Sequence, residues 1–506
     1  MSQSFTDKTI SGVNWNLLST YGNAVINTIV GIVLARLLTP QDFGLIGMVY
    51  IFTGLADLFA TLGMGQSVIR IKNLNDNYIR VATTLTITAS VLIYLIFYFS
   101  APLIADFYNE PKIIPIIKVL SFLFLIKAVA TVSYSQLQKN LDFKTLMVVS
   151  ITNSFTYGVT SSVLAIMGFG VWSLVYGSLA AAIINGFLIL RKSPANLKPL
   201  LKKNEFKELA GFGSGVSLSN ILLYGSSNVD YLIIGKFINP YALGLYTRAF
   251  NLMTESISRI SGGIYNVLFP AFSAAQNEKQ KLRIAYLRTI KTLSYFIFPV
   301  LAVMIINADY IIKGLYGVKW AGAVPVFRIL AFGGILRATL PYSGAIAHAT
   351  GRVYAEVFQQ LVYFLILGGV AWYTIRFGIE GVAFAVVAAL IWMFFAQSWL
   401  ALKIIESSWK EFLYSLIPAL GNLIVMVCIN MILVFLIEKF FFEMKAEIKL
   451  IIMLILNAAA FLSVIVFLPS SIKGDTFDWL IEKYKKYLPS FFLRFYFSFN
   501  QSGKKI

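Results

Sequence analysis

Apolar residues in this chain come in long, nearly unbroken runs separated by short polar stretches. Soluble helices and strands would instead show three-and-four spacing or alternation. Runs such as 81–101 and 450–468 hold about twenty residues, enough for a helix to cross roughly 30 Å of hydrocarbon. Read by hydropathy, the chain predicts about fourteen helices, beginning at roughly 12, 42, 79, 113, 145, 170, 209, 242, 285, 321, 353, 379, 411 and 447. The expected fold class is therefore an all-α polytopic membrane protein. The connections are short, and the tightest is expected at Gly168–Gly170, where glycine permits a sharp turn.

Composition agrees: of 506 residues, 58% are hydrophobic and 13% charged. A soluble domain carries about 25% charged residues, so a soluble enzyme, a disulfide scaffold and a disordered chain are excluded. One cysteine (Cys428) and one histidine (His348) argue against disulfides and Cys/His metal sites, and no cofactor motif is present. The net charge of +19 would suggest nucleic acid in a soluble chain; here it reads as the basic bias of cytoplasmic loops, with no nucleic-acid partner. Counted with the N-terminus inside, roughly 25 basic residues fall in cytoplasmic segments against about nine outside. The densest run is Arg191, Lys192, Lys198, Lys202, Lys203 and Lys207. An even helix count preserves this bias, so both termini are expected in the cytoplasm. Residues 1–11 are polar and the first apolar segment carries Asn14, Asn16, Asn23 and Asn27, so it is expected to stay in the protein as a span.

The chain also repeats itself. RLLTPQDFGL at 36–45 is echoed by KFINPYALGL at 236–245, with basic, apolar, Pro, Gly and Leu positions in register. Pro115, Lys118, Leu120 and Lys127 match Pro325, Arg328, Leu330 and Arg337, and Phe169-Gly170-Val171 matches Phe377-Gly378-Ile379. An ordered series at nearly constant offset marks an internal repeat. Because the offset covers six helices, both copies enter the membrane in the same sense, as parallel repeats do. The expected organisation is an N-terminal lobe of helices 1–6 (1–205), a C-terminal lobe of helices 7–12 (206–405), two additional helices (406–468) and a cytoplasmic amphipathic tail (469–506). A two-lobed repeat without a soluble domain is the layout of a transporter, its substrate path between lobes.

A charge at the centre of a membrane helix costs about 2.5–3.5 kcal/mol, so each needs a reason. Arg248, Glu255 and Arg259 share one face of the span starting near 242, bordered by Asn251 and Asn266. Asn16, Asn23 and Asn27 form a stripe on the first span; Tyr50, Thr53, Asp57 and Thr61 form one on the second. Ser217, Asn220, Tyr224, Ser227 and Tyr231 do so on the seventh, with Asp230 flanking. Each polar stripe reads equally as the lining of a wet cavity or as glue between helices. Glu255 reads either as an ion-coupling acid or as the partner of Arg259 one turn on. Asp57 and Asp230 have no basic residue one turn away and are candidate ion-coupling acids. Lys127 and Arg337 are the preferred cationic cavity residues. Arg288 and Lys291 could recruit anions or simply follow the basic-loop bias, and His348 reads as incidental.

The chain resembles the polysaccharide transport family, the Wzx-type O-antigen and exopolysaccharide flippases of the multidrug/oligosaccharidyl-lipid/polysaccharide exporter superfamily. The resemblance is carried by LARLLTPQDFGLIGMV (34–49), LGMGQSVIR (62–70), QLQKNLDFK (136–144) and GFGVWSLVYG (168–177), then by NVDYLIIGKF (228–237), LGLYTRAFNL (243–252) and GVKW (317–320). It implies a non-enzymatic flippase of the bacterial inner membrane that moves an undecaprenyl-diphosphate-linked oligosaccharide to the periplasmic leaflet by alternating access. It further implies H+ or Na+ as candidate coupling ions and polysaccharide polymerase machinery as a partner. Lys127, Arg248, Arg259 and Arg337 would meet the diphosphate, and Asn23, Asn27, Asn220 and Tyr224 are the other candidate substrate-binding residues. The rival readings are a cation-coupled drug antiporter, which would want an acidic cavity, and a membrane polymerase or glycosyltransferase, which would want a large extracytoplasmic loop.

Overall fold

The computed structural model describes residues 5–61, 63–193, 196 and 198–467, and in them every regular element is helical. The expected amphipathic tail, 469–506, lies outside the described residues, as do the side chains of Ser217, Arg259 and Asn266. Among the described residues, ten stretches are long and apolar enough to cross a membrane; one of them, Val353–Ile404, contains two helices joined by a short 3-10 turn. Large apolar side chains such as Phe99, Leu103 and Phe435 stand fully outward, as a lipid-facing surface requires and a water-facing one would not tolerate. The chain is a multi-pass membrane protein. It divides into two compact units, Met1–Thr247 and Arg248–Ile506.

The first unit holds α1 (Phe5–Leu37), α2 (Pro40–Thr61), α3 (Met64–Arg70), α4 (Asp76–Tyr108), α5 (Ile113–Leu120), α6 (Phe122–Lys139), α7 (Phe143–Ile166), α8 (Val171–Lys192), α9 (Lys203–Phe237) and the first turns of α10 (Pro240–Ala274). Its helix boundaries follow from local chemistry. Thr39 and Asp42 cap α2 reciprocally: Thr39 Oγ1 and N both donate to Asp42 Oδ2, at 2.7 and 2.9 Å, and the Asp42 N–H returns a bond to Thr39 Oγ1. Pro40 then occupies the first helical position, where its missing N–H costs nothing. Asn239 and Pro240 start α10 the same way, Asn239 Oδ1 accepting from the Ala242 N–H at 2.8 Å. The turn between α7 and α8 carries Gly168 and Gly170 at φ +84° and +52°, conformations only glycine adopts freely.

The repeated Pro-x-x-x-Gly segments do more than start helices. A Cβ built on Gly44 would sit 1.6 Å from the Pro240 carbonyl oxygen, and one on Gly244 would sit 1.8 Å from that of Pro40. The two copies of the motif thus lie backbone to backbone, each glycine under the other's proline, as close helix crossings in membranes demand.

The second unit holds the rest of α10, then α11 (Lys279–Ile306), α12 (Ala308–Tyr316), α13 (Ala323–Arg337), α14 (Leu340–Ala349), α15 (Val353–Thr374), α16 (Gly378–Ile404), α17 (Trp409–Phe440) and α18 (Ala446–Phe467). Its last two helices are tied in by buried polar groups. Asn307 Nδ2 donates to Asn430 Oδ1 at 2.6 Å, and Asn430 Nδ2 donates in turn to Asn457 Oδ1. Lys449 of α18 reaches both carboxylate oxygens of Glu438 on α17 at 3.1 Å, and the Tyr310 hydroxyl donates to the same carboxylate.

Candidate functional site

Within the first unit, helices α2, α3, α6, α7 and α8, with Asn220 of α9, enclose a cavity of about 840 Å³. That is the size of a small-molecule site rather than of a packing defect. From α6 it receives Lys127, Thr131, Tyr134 and Gln138, which at i, i+4, i+7 and i+11 lie on one helical face. From α7 come Asn153 and Tyr157, one turn apart, and from α2 come Tyr50, Asp57 and Thr61. Room is made by α8, whose lining is mostly small: Ser178, Ala181, Ala182 and Gly186, with Asn185 among them. The wall at the α2–α3 junction is made by Gly63, Gly65 and Gln66, where Gly63 breaks the helix at φ +62°.

The cavity's chemistry is that of amides, phenols and hydroxyls. Five primary amides line it (Gln66, Gln138, Asn153, Asn185 and Asn220), with three tyrosines. Each amide offers both donors and an acceptor, and each ring offers an apolar face beside a polar tip. The charged groups in the described lining are Asp57 and Lys127, and they face each other: Lys127 Nζ lies 3.4 Å from Asp57 Oδ2. The partner Asp57 lacks along its own helix is thus supplied by α6. Both side chains keep solvent access, 34% for Asp57 and 49% for Lys127, so the pair sits in the wet space rather than in the packing.

The remaining sequence candidates are placed as follows. Asn220 lines the cavity. Asn23 lies between α1 and α7, donating to Ser150 Oγ at 2.9 Å and accepting from Ser154 Oγ at 2.7 Å. Asn27 is exposed on α1. The Tyr224 hydroxyl bonds the Tyr50 and Ile51 carbonyls at 3.1 and 2.9 Å, over the gap left by Gly54, and so pins α9 to α2. Asp230 is buried and accepts from the Tyr246 hydroxyl at 2.8 Å. In the second unit, Arg248 is half-buried and Glu255 exposed, both on α10, and the Arg337 guanidinium lies 5.5 Å from the Phe250 ring centre. Arg288 and Lys291 line a separate cleft of about 500 Å³ beside the Arg283–Glu411 ion pair. His348, which the sequence leaves without a role, pairs with Glu356. Among the described residues no three His, Cys, Asp or Glu side chains gather as a metal site would need.

Sequence reasoning passed over Tyr134, Gln138, Asn153, Tyr157 and Asn185. A signal for the first two was present, since they continue the helical face that begins at Lys127 and Thr131. Asn23 gives a test of placement: Asn23→Leu is expected to lower stability by about 0.6–2 kcal/mol through loss of the α1–α7 bonds. Thermal unfolding of the purified variant measures this; an unchanged midpoint with lost transport would move Asn23 into the substrate path.

With outward apolar helices in each unit, a polar chamber within the first, and no soluble domain among the described residues, the protein has an all-helical, multi-pass transporter fold. The chain belongs to the polysaccharide biosynthesis protein family, whose model matches residues 33–325. Among its relatives, the teichuronic acid biosynthesis protein TuaB of Bacillus subtilis is 27% identical over 355 residues, 69% of this chain and 73% of that protein. The lipopolysaccharide biosynthesis protein WzxC of Escherichia coli is 25% identical over 363 residues, covering 69% and 72%. Among solved structures, the fold matches the lipid II flippase MurJ in an inward closed conformation, with a TM-score of 0.69 at 16% identity, over 89% of this chain and 98% of that one. It also matches an inward-facing multidrug resistance MATE family transporter, with a TM-score of 0.64 at 18% identity, over 76% and 94%.

Proposed function

We propose that the protein is a flippase that carries an undecaprenyl-diphosphate-linked oligosaccharide from the cytoplasmic to the periplasmic leaflet of a bacterial inner membrane, for polysaccharide assembly. The observation that carries this reading is the amide- and tyrosine-lined cavity inside a lipid-facing bundle, in a chain of the polysaccharide biosynthesis protein family. A polyhydroxylated headgroup needs donors, acceptors and ring faces in a wet space, while its lipid tail needs only the bilayer. The names of TuaB and WzxC point to surface polysaccharides, and that of MurJ to a lipid-linked sugar. Arg248, Arg259 and Arg337 are the cations for the diphosphate, while Lys127 is paired with Asp57. Moving an anion outward across an inside-negative membrane releases about 2.3 kcal/mol per charge per 100 mV, a bias that needs no ATP. If a proton or sodium ion is coupled, Asp57 is the acid best placed to hold it, because Asp230 is already held by Tyr246 in a buried bond. The drug-antiporter reading is disfavoured by the same geometry, since the cavity's carboxylate is compensated by Lys127.

The test is leaflet-resolved labelling of the lipid-linked glycan in a deletion strain with a membrane-impermeant sugar reagent. The expected result is a glycan that accumulates and stays unlabelled until the cells are opened. Normal labelling on intact spheroplasts would overturn the flippase reading.

A further inference from the structure

We infer that the cavity of the first unit selects uncharged sugar residues, and that Asp57 is the group that sets this preference by masking Lys127. The inference rests on the flippase reading above and adds to it the class of glycan. Its ground is the charge inventory of the cavity wall. Within the described lining, one carboxylate and one ammonium stand 3.4 Å apart, and every other polar group is neutral.

Consider a sugar bearing a carboxylate, such as a uronic acid. To enter, it must shed water from its charge, which is costly unless a cation replaces that water. The cation on the wall is Lys127, and Asp57 already holds it. An incoming carboxylate would therefore either displace Asp57, leaving that acid uncompensated, or share the ammonium with a like charge a few ångströms away. A neutral sugar meets no such penalty. Its hydroxyls find the amides of Gln138, Asn153 and Asn185 and the phenols of Tyr134 and Tyr157 on the facing helices. The same reasoning assigns this cavity to the glycan rather than to the diphosphate, because the wall carries no surplus positive charge to hold one.

The position of Asp57 also suits a mask. It lies one turn before the end of α2, where Thr61 Oγ1 donates back to its carbonyl at 3.0 Å and Gly63 breaks the helix. Lys127 reaches it from α6 rather than from the same helix, so the pair stands on the wall that a sugar would meet.

The experiment uses full-length protein in lipid nanodiscs and two synthetic probes, a short-chain prenyl-diphosphate disaccharide ending in glucose and its counterpart ending in glucuronate. Titration calorimetry gives the ratio of their dissociation constants on each preparation, so a variant that folds in lower yield still reports a valid ratio. Wild type is expected to bind the glucose probe at least about tenfold more tightly. Asp57→Asn, which frees Lys127, is expected to reduce that preference by about tenfold, and Lys127→Gln, which leaves Asp57 alone, to widen it. A wild-type preference for glucuronate, or an Asp57→Asn ratio equal to wild type, would overturn the inference and leave the flippase reading standing. If wild type binds neither probe, the assignment of the cavity to a glycan fails, and this inference fails with it.

Discussion

Gly44→Val is expected to remove folded protein from the membrane almost entirely. The first carbon of any side chain at this position would stand 1.6 Å from the Pro240 carbonyl oxygen, well inside the contact distance of two atoms. A flexible neighbour could rotate away, but this neighbour is backbone, fixed in the first turn of α10 by Pro240 and the Asn239 cap. Relief requires the two helices to part. Ordinary overpacking of a core costs about 1–3 kcal/mol, and separating a backbone crossing lies at or beyond the top of that range. Gly244→Val meets the Pro40 carbonyl at 1.8 Å and should behave alike. Fluorescence-detected size-exclusion of tagged variants measures the outcome; a monodisperse Gly44→Val peak at wild-type yield would show that the fold does not depend on this crossing.

Tyr134→Ala combined with Asn185→Ala is expected to reduce surface polysaccharide output by roughly 10- to 100-fold while the protein remains in the membrane, each lost group contributing about 0.7–1.4 kcal/mol of substrate contact. The two side chains line the cavity from different helices, α6 and α8, so a ligand bridging them would lose a ring face on one side and an amide on the other. Tyr134 is 39% exposed, so its truncation opens space without uncovering a core. Complementation of a deletion strain, with immunoblotting for protein level, checks this. Wild-type output from the double variant would remove the cavity from the substrate path.

The bilayer makes the outline of such a protein legible: a run of apolar residues has one stable solution in hydrocarbon, so hydropathy alone predicts helices and a membrane. The repeat is legible for a similar reason, since Thr39-Pro40 and Asn239-Pro240 must each start a helix and carry the residues that do so. That the two copies touch each other is not legible, because nothing in a Pro-x-x-x-Gly spacing says which backbone lies under the glycine. The site divides in the same way. Charges attract notice because they are costly in a membrane, and that logic reaches Asp57 and Lys127 separately. Their meeting, 3.4 Å apart from helices 70 residues distant in sequence, is a tertiary fact. Amide stripes are ambiguous by nature: Asn23 joins α1 to α7 while Asn153 and Asn185 face the cavity, and the same side chain serves both purposes.

The buried asparagine chain of the second unit also sets a timetable for synthesis. Asn430 follows Asn307 by 123 residues, and Asn457 follows Asn430 by 27. At about 5–20 residues per second, the ribosome delivers the partner of Asn307 roughly 6–25 s after Asn307 itself. Until then an amide at the end of α11 waits in or near lipid with its side-chain partner unmade, and α17 in turn waits for α18. The asparagine chain of the second unit is therefore complete only once residue 457 has been made, and a nascent chain halted ahead of it lacks the partner that the finished protein gives Asn430.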